Sequence, residues 1–306
     1  MLCGKNILSV FDLSREEILN LFEEAEELRE AVENKENLNF ANGKIMATVF
    51  LEPSTRTKLS FQFAMKKLGG SIIDFDVSTS SIAKGESNED TLRIIDSYFP
   101  DLIVIRQSDP EFLFKIKDFV NAPIINAGDG YREHPTQAIL DAYTIWRIYG
   151  TVSGLNVCIM GDLKYGRTPP SLAYLLSMFP KNKIFFVSPE ELRIRKEVLE
   201  KIEGKVDYEI LDSIEEINEE LDVIYVTRVQ KERIKNEKTY EKVKGAYTLT
   251  KIVLEKVKGD PIIMHPLPRV WELPKEIDNM EKAIYFEQAK NGMFARMALI
   301  KAVLGV

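Results

Sequence analysis

The sequence predicts an α/β protein made of two similar-sized domains, each a parallel sheet covered by helices. Three observations lead there. The chain has 306 residues, and at roughly 100–200 residues per domain that is room for two cores. Short β-branched runs alternate with helical stretches, and the pattern restarts near residue 150. The apolar runs are continuous rather than alternating, as in strands buried on both faces.

Taken in order, Ser14-Arg15-Glu16-Glu17 is a capping box, and Ile18, Leu21, Phe22, Ala25 and Leu28 follow at helical spacing. The chain therefore opens with a long amphipathic helix. After the Asn42-Gly43 turn come strands predicted at Ile45–Phe50, Ile72–Phe75, Leu102–Ile105 and Pro123–Asn126. A helix over Asp141–Tyr149 runs to Gly150 and closes the first domain, residues 1–149. The second domain, 150–306, has strands predicted at Val157–Met160, Ile184–Val187, Val223–Val226 and Ile262–Met264. Its last helix, Gln288–Leu304, is amphipathic and is expected to pack back on the first domain. The charge-rich stretch Lys231–Lys244 reads as a mobile surface excursion.

Composition excludes several classes of function. With 45% hydrophobic and 29% charged residues the chain lies far from the disordered corner. Forty-one basic against 48 acidic residues leave a net charge of −7, the wrong sign for holding a polyanion by counterion release, so no nucleic-acid partner is expected. No apolar run approaches the ~20 residues that span a bilayer, and Met1-Leu2-Cys3-Gly4-Lys5-Asn6 lacks the plan of a signal peptide. The expectation is a cytoplasmic protein with no membrane partner. Two cysteines without a CxxC pair argue against a zinc site and a disulfide, and Cys158, inside an apolar run, reads as a buried thiol.

In open parallel sheets ligands bind beyond the carboxyl ends of the strands. Leu51-Glu52-Pro53-Ser54-Thr55-Arg56-Thr57-Lys58 follows the first strand and opens a helix. Unpaired N–H groups, helix dipole, three hydroxyls and a guanidinium converge there, which suits a phosphate. A simple helix cap would use one hydroxyl and leave Arg56 unexplained. Arg106 ends another strand and Arg228 a third, and with Arg56 they point to a ligand carrying several negative groups.

Gly161 through Thr168 has P-loop spacing, but Arg167 replaces the lysine, and no later apolar strand ends in a magnesium-holding aspartate. The loop instead presents Arg167 and Thr168 to a small anion. A nicotinamide-binding domain is also excluded, because Gly128-Asp129-Gly130 lacks the third glycine and its strand-helix setting. Both histidines precede proline, in His134-Pro135-Thr136-Gln137 and His265-Pro266-Leu267-Pro268-Arg269, where composition predicts that for about 4% of histidines. His134 stands at a helix start, a good place to donate to a carbonyl oxygen, whereas His265 reads as structural. Their separation, without cysteine or HExxH partners, leaves no metal site expected.

Ser54-Thr55-Arg56-Thr57, His134-Pro135-Thr136-Gln137, Gly161 through Thr168, Thr227-Arg228-Val229-Gln230-Lys231-Glu232-Arg233 and His265-Pro266-Leu267-Pro268-Arg269 resemble, in that order, motifs of the aspartate/ornithine carbamoyltransferase family. The resemblance spans the whole chain, to Phe286-Glu287-Gln288-Ala289 and Phe294-Ala295-Arg296. The ornithine branch typically shows Cys in place of Thr136 and His-Cys-Leu-Pro in place of His265-Pro266-Leu267-Pro268, so the chain resembles the aspartate branch. The implied activity is transfer of the carbamoyl group of carbamoyl phosphate to the α-amine of L-aspartate, a step of pyrimidine biosynthesis, with no cofactor. Transfer to another amine such as ornithine, or a non-catalytic anion-binding relative, are the competing readings.

Carried over by motif, the resemblance implies that Ser54, Thr55, Arg56, Thr57 and Arg106 hold the phosphate. His134, Thr57 and Arg106 lie at the carbamoyl oxygen, with Gln137 and the carbonyls of Pro266 and Leu267 at its amide. Lys84, Arg167, Arg228, Gln230 and Leu267 meet aspartate. Ser80 and Lys84 reach the site from an adjacent subunit, which implies a homotrimer, with a separate regulatory chain as a further possible partner. The chain departs from the common pattern at Gln107-Ser108, at Pro169-Pro170 and at Trp271.

Overall fold

The apolar β-branched runs become parallel strands, in a computed structural model that describes residues 2–75, 85–234, 237–245 and 247–306. The chain divides into two compact units, one built from residues up to Tyr143 with Asn291–Val306, the other from Thr144–Lys290. All strand pairs described below are parallel.

The first unit contains α1 (Arg15–Glu33), β1 (Ile45–Phe50), α2 (Thr55–Lys67), β2 (Ser71–Phe75), α3 (Asn88–Ser97), β3 (Leu102–Gln107), α4 (Phe112–Ile116), β4 (Ile124–Asp129) and the start of α5 (Pro135–Tyr149). Its sheet order is β2-β1-β3-β4. The α1 capping box closes as expected, Glu17 N–H donating to Ser14 Oγ at 3.1 Å and Ser14 N–H to Glu17 Oε2 at 2.9 Å, an arrangement worth about 1 kcal/mol. Ile18, Leu21, Phe22, Ala25 and Leu28 form its buried face. Val49, Ile103, Ile105, Leu113 and Ile124 belong to a core along the sheet, each large side chain contributing about 1.5–3 kcal/mol by leaving water.

The second unit contains β5 (Asn156–Met160), α6 (Thr168–Ser177), β6 (Lys183–Val187), α7 (Lys196–Ile202), β7 (Asp207–Leu211), β8 (Leu221–Val226), α8 (Glu237–Val243), α9 (Lys251–Leu254), β9 (Gly259–Met264) and the start of α10 (Tyr285–Leu304). Its sheet order is β7-β6-β5-β8-β9, over a core that includes Cys158, Phe185, Ile224, Val226 and Ile263. The four strands expected here are a correction: β7, Asp-Tyr-Glu-Ile-Leu, is a fifth. It is an edge strand, half-exposed and alternating, so it carries no continuous apolar run. The rest of α10, from Asn291, belongs to the first unit, where Lys301 pairs with Glu24 at 2.6 Å and Asn291 Oδ1 accepts from Arg29 at 2.8 Å.

The Lys231–Lys244 stretch includes α8, and Val243 is buried with Leu192 and Val229, against which Tyr240 and Trp271 pack. Among the described residues no helix is long and apolar enough to cross a membrane.

Both sheets reverse their winding at one place, between β1 and β3 in the first and between β5 and β8 in the second. Diverging connections leave a crevice at the carboxyl ends of such strand pairs. The segments that follow β1, β3, β5 and β8 are those singled out from the sequence.

Candidate active site

On the first unit, β1 delivers the chain to Ser54, the N-cap of α2. The Ser54 side chain makes no capping hydrogen bond, so its hydroxyl is not spent on the helix end. Thr55, Arg56 and Thr57 form the first turn, where backbone N–H groups and the helix dipole favour an anion. Thr57 is buried, while Thr55 and Arg56 are exposed.

Arg106 reaches this place through sheet register, its Cα lying opposite Phe50 at the end of β1. Its Nη1 donates to the Ala127 carbonyl at 3.2 Å, and Nε stands 3.7 Å from Glu52. These two contacts aim a guanidinium that would otherwise sample many rotamers. The departure at Gln107 also serves the backbone here: Gln107 Oε1 accepts from Asp109 N–H at 2.7 Å and its carbonyl from Gly130 N–H at 2.9 Å.

His134 and Gln137 stand at the start of α5, with Pro135 as its first residue, where a missing N–H costs nothing. The His134 carbonyl accepts from Gln137 and Ala138 N–H, and the ring is almost fully buried with Nδ1 3.4 Å from Thr136 Oγ1. Gln137 Nε2 donates to Asp141 Oδ1 at 2.8 Å. Nearby, Asp129 at the end of β4 is completely buried and accepts from Glu133 N–H at 2.7 Å. Burial pushes its carboxyl up to about 7, against the Glu133 N–H and the Arg132 charge, which pull it down.

On the second unit, Arg167 is the buried N-cap of α6, its carbonyl accepting from Ser171 Oγ at 2.7 Å. Pro169 and Pro170 occupy the first helical turn. Arg228, just beyond β8, is held by Glu232 four residues on, Nη1 donating to Oε2 at 3.1 Å and Nη2 to Oε1. That pairing holds Arg228 above the ordinary arginine value. The Gly161–Thr168 loop is organised by Asp162, whose two carboxylate oxygens accept from Tyr165 N–H and Gln230 N–H, both at 2.9 Å. Asp162 is buried and its carboxyl is raised by that burial. The loop with P-loop spacing thus turns its acid inward and brings Gln230 beside Gly166.

Pro266 and Leu267 follow β9. Leu267 has a positive φ of 55° and donates its N–H to His265 Nδ1 at 2.8 Å, while His265 Nε2 faces Glu272 Oε1 at 2.9 Å. Ser80 and Lys84 lie outside the described residues. Among those described, no group of three His, Cys, Asp or Glu side chains is placed to hold a metal ion.

Sequence reasoning missed Glu52, Asp162, Glu232 and Glu272, the acids that orient Arg106, the Gly161–Thr168 loop, Arg228 and His265. Only Glu232 had a readable signal, its i,i+4 spacing from Arg228. The others meet their partners through the fold.

Comparison with known proteins matches both halves. Residues 5–147 fit the family described as aspartate/ornithine carbamoyltransferase, carbamoyl-P binding domain, and residues 153–303 its Asp/Orn binding domain. The aspartate carbamoyltransferase catalytic subunit of Methanocaldococcus jannaschii is 46% identical over 303 residues, 98% of each chain. A crystal structure of the M. jannaschii catalytic subunit superposes with a TM-score of 0.89 at 45% identity, covering 98% of both chains. Trypanosoma cruzi aspartate transcarbamoylase in complex with carbamoyl phosphate and aspartate superposes with a TM-score of 0.95 at 37% identity, covering 99% of this chain and 98% of that one. The residues that follow the strands are thus set in a chain that belongs, over both its halves, to the aspartate/ornithine carbamoyltransferase family.

Proposed function

We propose that the chain is an aspartate carbamoyltransferase, transferring the carbamoyl group of carbamoyl phosphate to the α-amine of L-aspartate and releasing phosphate. The observation that carries the reading is the α2 start. Ser54 leaves its hydroxyl uncommitted to capping, and Arg106, oriented by Glu52 and Ala127, stands across the sheet register from the end of β1. Ser54, Thr55, Arg56, Thr57 and Arg106 hold the phosphate, and Gln137 with the Pro266 and Leu267 carbonyls holds the carbamoyl amide. Arg167, Arg228 and Gln230 read the two carboxylates of aspartate.

The α-amine attacks the carbamoyl carbon, and negative charge grows on its oxygen. Thr57, Arg106 and His134 are the preorganised donors for that charge, each of a kind whose removal costs about 3 kcal/mol of transition-state stabilisation. The bond to phosphate then breaks, and the departing dianion is held by Arg56 and the α2 dipole. The amine must lose a proton, and the departing phosphate is an acceptor that the reaction itself supplies. A side chain ending in an ammonium would call for an acidic partner, whereas the second unit offers Arg167 and Arg228, which favours aspartate over ornithine.

The reading includes a homotrimer in which Ser80 and Lys84 complete a neighbour's site, supported by their motif alone. Incubation with carbamoyl phosphate and either aspartate or ornithine tests the reaction. N-carbamoyl-L-aspartate and phosphate are expected only with aspartate, and Arg56→Ala should abolish turnover without unfolding the chain. Carbamoylation of ornithine, or full activity of R56A, overturns the assignment.

A further inference from the structure

A chain of buried polar contacts reaches His134 from the far side of the ring. Arg296 on α10 is 4% exposed; its Nη2 donates to Thr136 Oγ1 at 3.4 Å, and Thr136 Oγ1 in turn stands 3.4 Å from His134 Nδ1. The same guanidinium donates through Nη1 to Ser60 Oγ at 2.9 Å, and Ser60 Oγ donates to the Thr57 carbonyl at 2.9 Å. One side chain therefore touches, through one hydroxyl each, the two helix starts that carry Thr57 and His134.

Two contacts at Thr136 Oγ1 place its proton. A guanidinium donates and never accepts. Burial lowers Arg296 only to about 10, so it stays charged at neutral pH. Arg296 therefore takes a lone pair of Thr136 Oγ1. That hydroxyl, 1% exposed, has its own proton to place, and its other contact is His134 Nδ1. A buried hydroxyl proton left without an acceptor is costly, so it goes to Nδ1. A neutral imidazole whose Nδ1 accepts carries its hydrogen on Nε2.

We propose that Thr136, backed by Arg296, sets the tautomer of His134, so that the ring presents Nε2–H as the donor to the carbamoyl oxygen. Thr136 and Arg296 are positioning residues: they act through His134. Ser60 extends the same control to Thr57, so two of the three oxyanion donors are referred to one buried cation. The catalytic part of the proposal rests on the carbamoyl-transfer reading, whereas the tautomer is a property of the free protein.

The chain holds only two histidines, so protein labelled with 15N-histidine gives two imidazole spin systems, which solid-state NMR resolves whatever the assembly size. His134→Asn assigns them. In the unsubstituted full chain His134 Nδ1 should resonate as a non-protonated, hydrogen-bonded nitrogen and Nε2 as a protonated one. Thr136→Val should shift the Nδ1 resonance away from its position in the unsubstituted chain, and Thr136→Ser should restore it. His265, whose ring meets Leu267 N–H and Glu272 on the second unit, should not move in either variant and so reports that the chain is folded. In the assay T136V should lose about five- to tenfold in kcat with KM for carbamoyl phosphate little changed, and T136S should recover it. A protonated Nδ1 in the unsubstituted chain overturns the proposal without any variant. Unmoved His134 resonances in T136V overturn it as well. If no carbamoyl transfer is found at all, the spectra still decide the tautomer, separating the two failures.

Discussion

His265 Nδ1 accepts the Leu267 N–H at 2.8 Å, which leaves the ring proton on Nε2 and points it at Glu272 Oε1, 2.9 Å away. Glu272 in turn accepts from Val270 N–H at 3.0 Å, and its carbonyl from Leu249 N–H at 2.9 Å. Burial alone would raise the Glu272 carboxyl, but the His265 hydrogen bond and the backbone donors outweigh it and hold the group below its usual value of 4.5. Its stabilisation is therefore fully present above pH 4.5 and is lost as pH falls through the lower folded value. His265→Ala should cost about 2–4 kcal/mol in urea unfolding at pH 7, because it strands a buried carboxylate. Glu272→Gln should cost less and flatten the acid limb below pH 4.5. An unchanged acid limb in E272Q would remove Glu272 from this role.

Asp129 works in the opposite direction. Its carboxyl is raised from 3.8 to about 7 in the folded chain, so between those values the folded state binds more protons than the unfolded one. Stability should fall as pH rises from about 4 toward 7, by of order 2–4 kcal/mol at the top of the window. Asp129→Asn mimics the protonated form, retains an acceptor for Glu133 N–H, and should be more stable than the parent at pH 8 and equal to it near pH 4. Denaturant midpoints measured across that range check it, and parallel curves for the two proteins would refute it.

The sequence reading was strongest where one residue type had only one physical use. Continuous apolar runs located the central strands, and the residues after them proved to flank the two places where sheet winding reverses, because strand order, not any local signal, makes a crevice there. The edge strand β7 was illegible since Asp207, Tyr208 and Glu209 look like surface loop until β6 pairs with them. The acids were illegible for a related reason. Nothing near Asp162 in sequence says that it will bind the N–H of Gln230, 68 residues away.

Arg228 is gripped by Glu232 along its Nη1–Nη2 edge, which fixes the guanidinium plane and, in the proposed reaction, leaves the Nε side and the outer N–H bonds for the aspartate carboxylate. Glu232→Gln weakens the grip and frees the side chain to rotate. KM for aspartate should rise about tenfold, with carbamoyl phosphate binding unaffected, since the lost element is orientation on one unit. Arg228→Ala should be far more severe. Equal effects of E232Q on both substrates would contradict the local role.

Gly161 follows β5 with φ at 113°, and a Cβ there would meet the Thr227 carbonyl oxygen at 2.1 Å. Backbone cannot move aside as a flexible side chain can, and the conformation is strained for any L residue. Gly161→Ala should lose at least ~2 kcal/mol of stability and raise KM for aspartate, because the displaced strand end is the one that carries Arg228. Thermal unfolding and aspartate saturation together check it.

Sharing of sites between subunits makes a quantitative prediction. If Lys84 completes the site of a neighbour, then Lys84→Ala and Arg228→Ala chains are each inactive alone for different reasons: the first spoils what it lends, the second what it keeps. Mixed, dissociated and allowed to reassemble in equal amounts, they form some sites in which Arg228 comes from a K84A chain and Lys84 from an R228A chain. Random assortment around a cyclic trimer makes about one quarter of all sites complete, so about a quarter of the parent activity should return. If Lys84 served its own chain, every site would carry one defect or the other. Mixing would then restore nothing, and the trimer with shared sites would have to be abandoned while the roles of Arg56, Arg106 and His134 stood untouched.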